Sequence, residues 1–220
     1  MIFFQSLLSI LSTLELRLSG LSGKKIIIEG DSITEGYPVS LSQRWTSLFC
    51  NALGAVEINR GVSSKALQDG NNCTSPNFDI TTIPINDNTH GLYIMALGTN
   101  DILFHNGSFT PSLYKATLIQ AMEEAKQKGW ARNKLLILSP YYIKAGYGIG
   151  GFCGSAMWNS ARFNDYITAA KQAAESARVM YCDITSAYGD SVLNLDGIHP
   201  DVNGHSMLNT FLLSKTFKTL

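Results

Sequence analysis

Two widely separated segments of the chain carry residue types that together could perform nucleophilic catalysis. Ser32 lies at the centre of residues 30–34, which directly follow the apolar run 25–29. Asp196 and His199 stand three residues apart near the other end of the chain. A serine hydroxyl becomes a strong nucleophile when an imidazole takes its proton and a carboxylate orients that imidazole. If the fold brings these residues together, they could transfer an acyl group through Ser32.

Each of these residues also has an ordinary structural interpretation. A serine at a strand-to-helix turn often caps the N-terminus of the helix. Asp196 and His199, which are followed by Pro200, could simply open the final helix. Taken singly, these structural roles are the more frequent ones, so only the combination of residues favours catalysis.

Acyl transfer also needs hydrogen-bond donors that stabilise a negatively charged oxygen. Asn100 follows another apolar run, and its side-chain amide could donate to that oxyanion. Gly61 follows a third run and could add a backbone N–H, since it has no Cβ to keep the substrate away. The backbone N–H of Ser32 itself would be a further donor. The alternatives are a turn in which Asn100 caps a helix and an ordinary turn glycine at Gly61.

Two aspartates stand next to these candidates in the sequence. Asp31 precedes Ser32, and Asp101 follows Asn100. We expect both carboxylates to brace the active-site loops by accepting backbone N–H groups. Exposed turn aspartates are an equally good interpretation of the pattern.

The rest of the chain alternates short apolar runs with amphipathic stretches. The predicted strands are 25–29, 56–59, 92–97, 134–139 and 178–183, and the predicted helices are 41–53, 111–129, 156–177 and 201–216. Near-continuous apolar runs are typical of parallel strands that are covered on both faces. We therefore predict an α/β fold, a three-layer α/β/α sandwich with a five-stranded parallel sheet and the flavodoxin-like strand order 2-1-3-4-5.

This topology places all the candidate residues at one edge of the sheet. Ser32, Gly61 and Asn100 each follow a predicted strand, and Asp196 and His199 follow the last one. Ligands of open α/β sheets bind outside the carboxyl ends of the strands. The shared edge is stronger evidence for a site than any single motif.

Four blocks of the sequence resemble the motifs of the SGNH (GDSL-type) hydrolase family. They are Gly30-Asp31-Ser32, Asn59-Arg60-Gly61-Val62-Ser63, Gly98-Thr99-Asn100-Asp101 and Asp196-Gly197-Ile198-His199-Pro200. Ile33 stands where the family most often has Leu. The resemblance implies a serine ester hydrolase without cofactor or metal, in which Ser32 is the nucleophile, His199 the base and Asp196 its orienting acid. It also implies an oxyanion hole formed by Ser32, Gly61 and Asn100.

The loop that follows the fourth strand is the candidate for substrate recognition. It carries the aromatic residues Tyr141, Tyr142, Tyr147 and Phe152 among several glycines. Aromatic faces suit sugar rings, so a carbohydrate acetylesterase is the first hypothesis, and a lipid-directed esterase or lysophospholipase is the second. Alternatively, these aromatics only fill the rim of the core. A non-catalytic glycan-binding or assembly module is a third hypothesis, although the chain retains every catalytic residue type.

Composition excludes several other classes of function. The chain has 17 basic and 17 acidic residues, so no basic surface for nucleic acid is predicted. The cysteine and histidine spacings match no zinc motif, and no metal site is predicted. Cys50 and Cys182 lie in apolar stretches and should be buried, whereas Cys73 and Cys153 could pair in an oxidising compartment. The compartment itself is left open by the sequence.

The first 22 residues form a segment separate from the predicted catalytic domain at 23–220. Six apolar residues recur at alternating steps of three and four, namely Phe4, Leu7, Leu11, Leu14, Leu18 and Leu21. This spacing is typical of an amphipathic helix, which could pack on its own domain or join chains into a homo-oligomer. The segment could also be a linker. It has no basic start typical of a signal peptide, and it is too short and interrupted for a membrane span.

Overall fold

Five parallel strands form a single sheet in the described part of the chain. The computed structural model describes residues 20–68, 76–103, 109–145 and 160–215. The strands are β1 (Lys25–Gly30), β2 (Val56–Gly61), β3 (His90–Ala96), β4 (Leu135–Leu138) and β5 (Met180–Cys182). They lie in the order β2-β1-β3-β4-β5, and each neighbouring pair is parallel. The predicted fold class and strand order are confirmed.

Six α-helices accompany the sheet within the described residues. They are α1 (Ser32–Glu35), α2 (Trp45–Ala52), α3 (Thr99–Leu103), α4 (Pro111–Gln127), α5 (Ser160–Ala177) and α6 (Val202–Ser214). Three short 3-10 helices lie at Ile80–Thr82, Arg132–Lys134 and Asp190–Val192. The four longer helices match the predicted ones, with ends displaced by a few residues.

Two hydrophobic clusters cover the two faces of the sheet. Side chains of β3 alternate between them, because Tyr93 and Met95 join one cluster while Leu92 and Ile94 join the other. The first cluster contains the apolar faces of α4 and α5, and the second contains those of α2 and α6. All seven residues of β3 are buried as a result, which explains why most of this central strand is a continuous apolar run.

Local sequence signals fix where the long helices begin. Thr110 caps α4 by accepting the N–H of Leu113, and Pro111 occupies the first turn, where its missing N–H costs nothing. Asp201 caps α6 by accepting the N–H of Gly204. This cap sets the start of α6 immediately after the segment that carries His199.

The N-terminal segment enters the described structure only at residue 20. Residues 20–23 form a turn, and the partly buried Leu21 packs on the second cluster. Residues 1–19 lie outside the described residues, so the predicted amphipathic helix or linker at 1–22 is still a prediction. Cys50 and Cys182 are buried free thiols, as predicted, whereas Cys73 and Cys153 also lie outside the described residues. None of the helices in the described residues is long and apolar enough to cross a membrane.

Candidate active site

A continuous chain of hydrogen bonds joins the three residues predicted to perform catalysis. Ser32 Oγ lies 2.8 Å from His199 Nε2. On the other side of the ring, His199 Nδ1 lies 2.7 Å from Asp196 Oδ2. Ser32 and His199 are partly exposed, so a substrate in solvent can reach both. The fold thus brings together residues that are 167 positions apart in the sequence.

Ser32 is presented by a single helical turn at the carboxyl end of β1. Asp31 caps this turn by accepting the N–H of Ile33 on its side chain, and Gly36 ends it in the left-handed region at φ 106°. The Ser32 carbonyl accepts the N–H groups of Gly36 and Tyr37. As the first residue of α1, Ser32 has no acceptor for its own N–H among the described residues.

The loop that carries His199 is held by its own backbone. Asp196 Oδ1 accepts the N–H groups of Ile198 and His199. Asn194 donates both its backbone N–H and its side-chain amide to the His199 carbonyl, at 2.8 and 2.9 Å. His199 is therefore held through its backbone as well as through its ring.

These hydrogen bonds also keep the Asp196 carboxylate charged. Partial burial by itself would raise the pKa of Asp196, but the N–H groups of His199 and Ile198 and the His199 ring outweigh it and lower the pKa below its ordinary value. An ionised Asp196 accepts the Nδ1 proton of His199, so Nε2 faces the serine hydroxyl as the basic nitrogen.

Asn100 lies at the same edge, in the short helix α3 that follows β3. Its side chain is 6% exposed, and its Nδ2 donates one hydrogen to the Lys65 carbonyl at 2.9 Å. An amide nitrogen carries two hydrogens, so within the described part of the chain one has no acceptor and is available to a ligand. The Lys65 ammonium in turn lies 3.5 Å from the buried Glu29 carboxylate. This ion pair anchors the segment that orients the Asn100 amide.

Gly61 does not supply the backbone donor that its sequence context suggested. Its N–H donates to Asn59 Oδ1 at 2.8 Å and so is not free for an oxyanion. The glycine has a packing role instead, because a Cβ at this position would lie 2.3 Å from the backbone nitrogen of Glu35. The absence of a side chain at Gly61 therefore lets β2 lie directly against α1, which carries Ser32.

A backbone feature near Asn100 was missed by the sequence analysis. Ser64 has a φ of 64°, in the left-handed region that few residues other than glycine adopt. It lies in a turn closed by a hydrogen bond from Lys65 N–H to the Val62 carbonyl, and its own N–H has no acceptor among the described residues. Because a serine gives no sign in the sequence of a left-handed backbone, this position was not recognised.

The two neighbouring aspartates are deeply buried beneath the site. The two oxygens of Asp101 accept the N–H groups of Leu67 and Gln68 at 2.9 and 2.8 Å, which ties the end of the loop after β2 to α3. Burial raises the pKa of Asp31 to about 7 and that of Asp101 to about 6, although backbone N–H groups partly offset the effect in both.

Comparison with known proteins identifies the family. Residues 29–207 match the GDSL-like lipase/acylhydrolase family, a span that includes every residue of the site described above. The chain belongs to this GDSL family. Its members are esterases and acylhydrolases, so the chain is an acylhydrolase, as predicted. A search of curated proteins gives no match to the sequence.

Several solved structures share the fold of this GDSL-family chain. A carbohydrate acetylesterase from Sinorhizobium meliloti has a TM-score of 0.69 at 20% identity, covering 86% of this chain and 96% of its own. An acetyl xylan esterase from Geobacillus stearothermophilus has a TM-score of 0.60 at 20% identity, covering 87% and 94%. An aryl esterase from M. smegmatis has a TM-score of 0.63 at 20% identity, covering 86% and 96%.

Of the four aromatic residues predicted in the substrate loop, the structure describes Tyr141 and Tyr142, and Tyr141 has the alternative role of filling the core. Tyr141 is 1% exposed, and its hydroxyl lies 2.8 Å from Thr34 Oγ1, so it is a core residue under α1 and not part of a substrate surface. The partly exposed Tyr142 donates its hydroxyl to Asp190 Oδ1 at 2.7 Å and packs edge-on against Tyr188. Tyr147 and Phe152 lie outside the described residues.

A different aromatic side chain lies against His199, the predicted base. The ring of Tyr37 contacts that of His199 in an edge-on arrangement, with 4.9 Å between the ring centroids and 77° between the planes. The sequence analysis missed Tyr37 because it follows the Ser32 block without a motif of its own. Its proximity to His199 depends on how the two ends of the chain meet.

No group of three or more metal-ligating side chains occurs within the described ranges. The polar groups at this edge of the sheet are a serine hydroxyl, an imidazole, a carboxylate and hydrogen-bond donors. Such a set can attack an acyl carbon and stabilise the oxyanion that results.

Proposed function

We propose that this acylhydrolase is a serine esterase that removes short acyl groups, acetyl above all, from carbohydrate. The observation that carries the proposal is the unbroken path from Ser32 Oγ through the His199 ring to Asp196, with contacts of 2.8 and 2.7 Å. These distances are those of functional hydrogen bonds between a nucleophile, a base and an orienting acid.

The proposed reaction proceeds in two steps, acylation of Ser32 and hydrolysis of the acyl-serine. Ser32 Oγ attacks the ester carbonyl while His199 Nε2 takes the hydroxyl proton, and the carbonyl oxygen becomes the oxyanion of a tetrahedral intermediate. Its collapse breaks the bond to the alcohol oxygen, which leaves with the proton from Nε2. Water then attacks the acyl-serine, gives its proton to His199, and the acid departs as Ser32 regains its proton.

Three donors stabilise the oxyanion in this proposal. They are the N–H of Ser32, the free Nδ2 hydrogen of Asn100 and the N–H of Ser64 in place of that of Gly61. The support for Ser64 is an N–H that has no acceptor among the described residues, in the turn whose last carbonyl accepts a hydrogen bond from Asn100. Donors fixed in this way cost little reorganisation when charge develops on the substrate.

The carbohydrate assignment is supported by the partial exposure of Ser32 and His199 and by an aromatic ring beside the base. Tyr37 is 55% exposed, and flat aromatic faces suit sugar rings. No described feature at Ser32 favours a long acyl chain, so the lipid-directed esterase is the less supported alternative. A non-catalytic module is disfavoured because the nucleophile, base and amide donor are all present and in contact with their partners.

A substrate panel tests the choice. The chain should hydrolyse acetylated oligosaccharides and should prefer p-nitrophenyl acetate to esters of longer acyl chains. A preference for octanoyl over acetyl would contradict the proposal and favour a lipid substrate. Ser32→Ala should abolish every activity in the panel, and a fluorophosphonate should label the parent chain stoichiometrically but leave the variant unlabelled.

A further inference from the structure

Tyr37 presents most of its side chain to solvent while lying against the proposed base. Its ring contacts His199 with 4.9 Å between centroids, and its side chain is 55% exposed. Its backbone N–H donates to the Ser32 carbonyl at 2.9 Å. The backbone of the residue is therefore bonded to Ser32 and its ring contacts His199, while 55% of the residue's surface stays exposed.

The chemistry of ester cleavage determines which part of a substrate lies near this ring. The carbonyl oxygen must point to the donors at Ser32 and Asn100, on the side of the serine nucleophile. The alcohol oxygen must come within hydrogen-bond distance of His199 Nε2, because it leaves with the proton from that nitrogen. The carbon atoms attached to the alcohol oxygen then lie beside the ring that contacts His199, whereas the acyl chain extends away from the base.

We propose that Tyr37 forms the binding surface for the alcohol portion of the ester and selects alcohols with a flat or ring-shaped apolar face, such as a sugar. This inference rests on the proposed function and adds to it the residue that recognises the leaving group. An exposed aromatic ring gives such a partner apolar contact area on a side chain with few rotatable bonds. It offers little to a small alcohol, which ends before it covers the ring.

A comparison of two acetates that share an acyl group tests the inference. Hydrolysis of xylose tetraacetate and of ethyl acetate should be measured for the parent chain, Tyr37→Leu and Tyr37→Phe, with active sites counted by fluorophosphonate titration. Tyr37→Leu should lower kcat/KM for the sugar acetate about three- to tenfold more than for ethyl acetate. Tyr37→Phe should retain the parent's ratio. Ile85→Ala, which changes an exposed apolar residue just before β3 at the opposite edge of the sheet, should change neither rate.

The outcomes separate the inference from the proposed function. Equal losses on both acetates in Tyr37→Leu would mean that the ring only steadies His199, and would overturn the inference while leaving the esterase intact. If the parent chain hydrolysed neither acetate, the proposed function would fail and the inference with it. Because each rate is divided by the number of titrated active sites, a variant that folds poorly cannot be mistaken for either result.

Discussion

His199 and its two hydrogen-bond partners illustrate which side chains can be recognised from sequence. Asp196 and His199 are close in the chain, so a single turn holds both, and their pairing could be expected from their spacing alone. The contact with Ser32 spans the whole domain and could be expected only from the shared edge of the sheet. The exposed Tyr37 and the buried Tyr141 could not be placed correctly, because their surroundings depend on which distant side chains meet them.

Asn100 gives a test at the residue scale. Asn100→Ala should lower kcat about a hundred- to a thousandfold, because it would remove one donor of the proposed oxyanion hole. Asn86→Ala is the matched control, since the Asn86 amide also donates to a backbone carbonyl, that of Gly129 at 3.0 Å, but far from Ser32. The control should keep full turnover. Steady-state kinetics with p-nitrophenyl acetate decide the matter, and an unchanged kcat in Asn100→Ala would remove this amide from the mechanism.

At the level of elements, the sequence predicted strands and long helices well and short helices poorly. The central strands were recognisable because helices cover both faces of the sheet there, so that all residues of β3 and β4 are buried and nearly all of them are apolar. The turns α1 and α3, with four and five residues, are too short to show a helical period. The close contact of β2 with α1 at Gly61 could not be predicted either. A glycine at the end of a strand gives the same sequence pattern whether its N–H binds a ligand or its missing side chain allows close packing.

The role of Gly61 can be tested with a pair of glycine variants. Gly61→Ala keeps the backbone N–H, so it would be harmless if that N–H were all that mattered. The structure predicts instead a loss of about 1–3 kcal/mol in the free energy of unfolding and at least a tenfold loss in kcat, because the Cβ would collide with Glu35 in α1. Gly189→Ala is the control, since no atom lies within 4 Å of its Cβ position. Denaturant titration and kinetics on both variants would show the difference, and a fully active Gly61→Ala would refute the packing role.

Over the whole molecule, buried carboxyls couple stability to pH. The folded state keeps the proton of Asp31 up to about pH 7, whereas an unfolded aspartate loses it near its ordinary value of 3.8. The folded state thus binds more protons between these values, and the stability contributed by Asp31 falls as pH rises from about 4 to about 7. The buried His205, whose pKa burial lowers to about 4, acts in the opposite direction, because its contribution is lost as pH falls below about 6.5.

Because these effects oppose each other, the test compares a variant with its parent. Asp31→Asn should gain stability relative to the parent between pH 4 and pH 8, by up to about 4 kcal/mol in the free energy of unfolding. Asparagine can still accept the N–H of Ile33, so the helix cap is kept. Urea titration at both pH values measures the gain, and a difference that is independent of pH would contradict it.

Asp79 provides a control, because its contribution to stability should change with pH in the opposite direction to that of Asp31. It also accepts the N–H of the residue two positions on, here Thr81, but it is exposed. Hydrogen bonds from the Thr81 hydroxyl and N–H lower the pKa of Asp79, so its contribution is present above the ordinary pKa and lost as pH falls. Asp79→Asn should therefore lose stability relative to the parent as pH rises through 4.

The most direct test of a serine esterase mechanism is hydrolysis of p-nitrophenyl acetate from pH 5 to 9 by the intact chain and by Ser32→Ala in parallel. The contacts of Ser32 with His199 and of His199 with Asp196 predict that the intact chain hydrolyses the ester, because the base is held against the serine hydroxyl. They also predict that Ser32→Ala is inactive throughout while remaining folded. Equal hydrolysis by both proteins, or none by the intact chain, would contradict the assignment of Ser32 as the nucleophile.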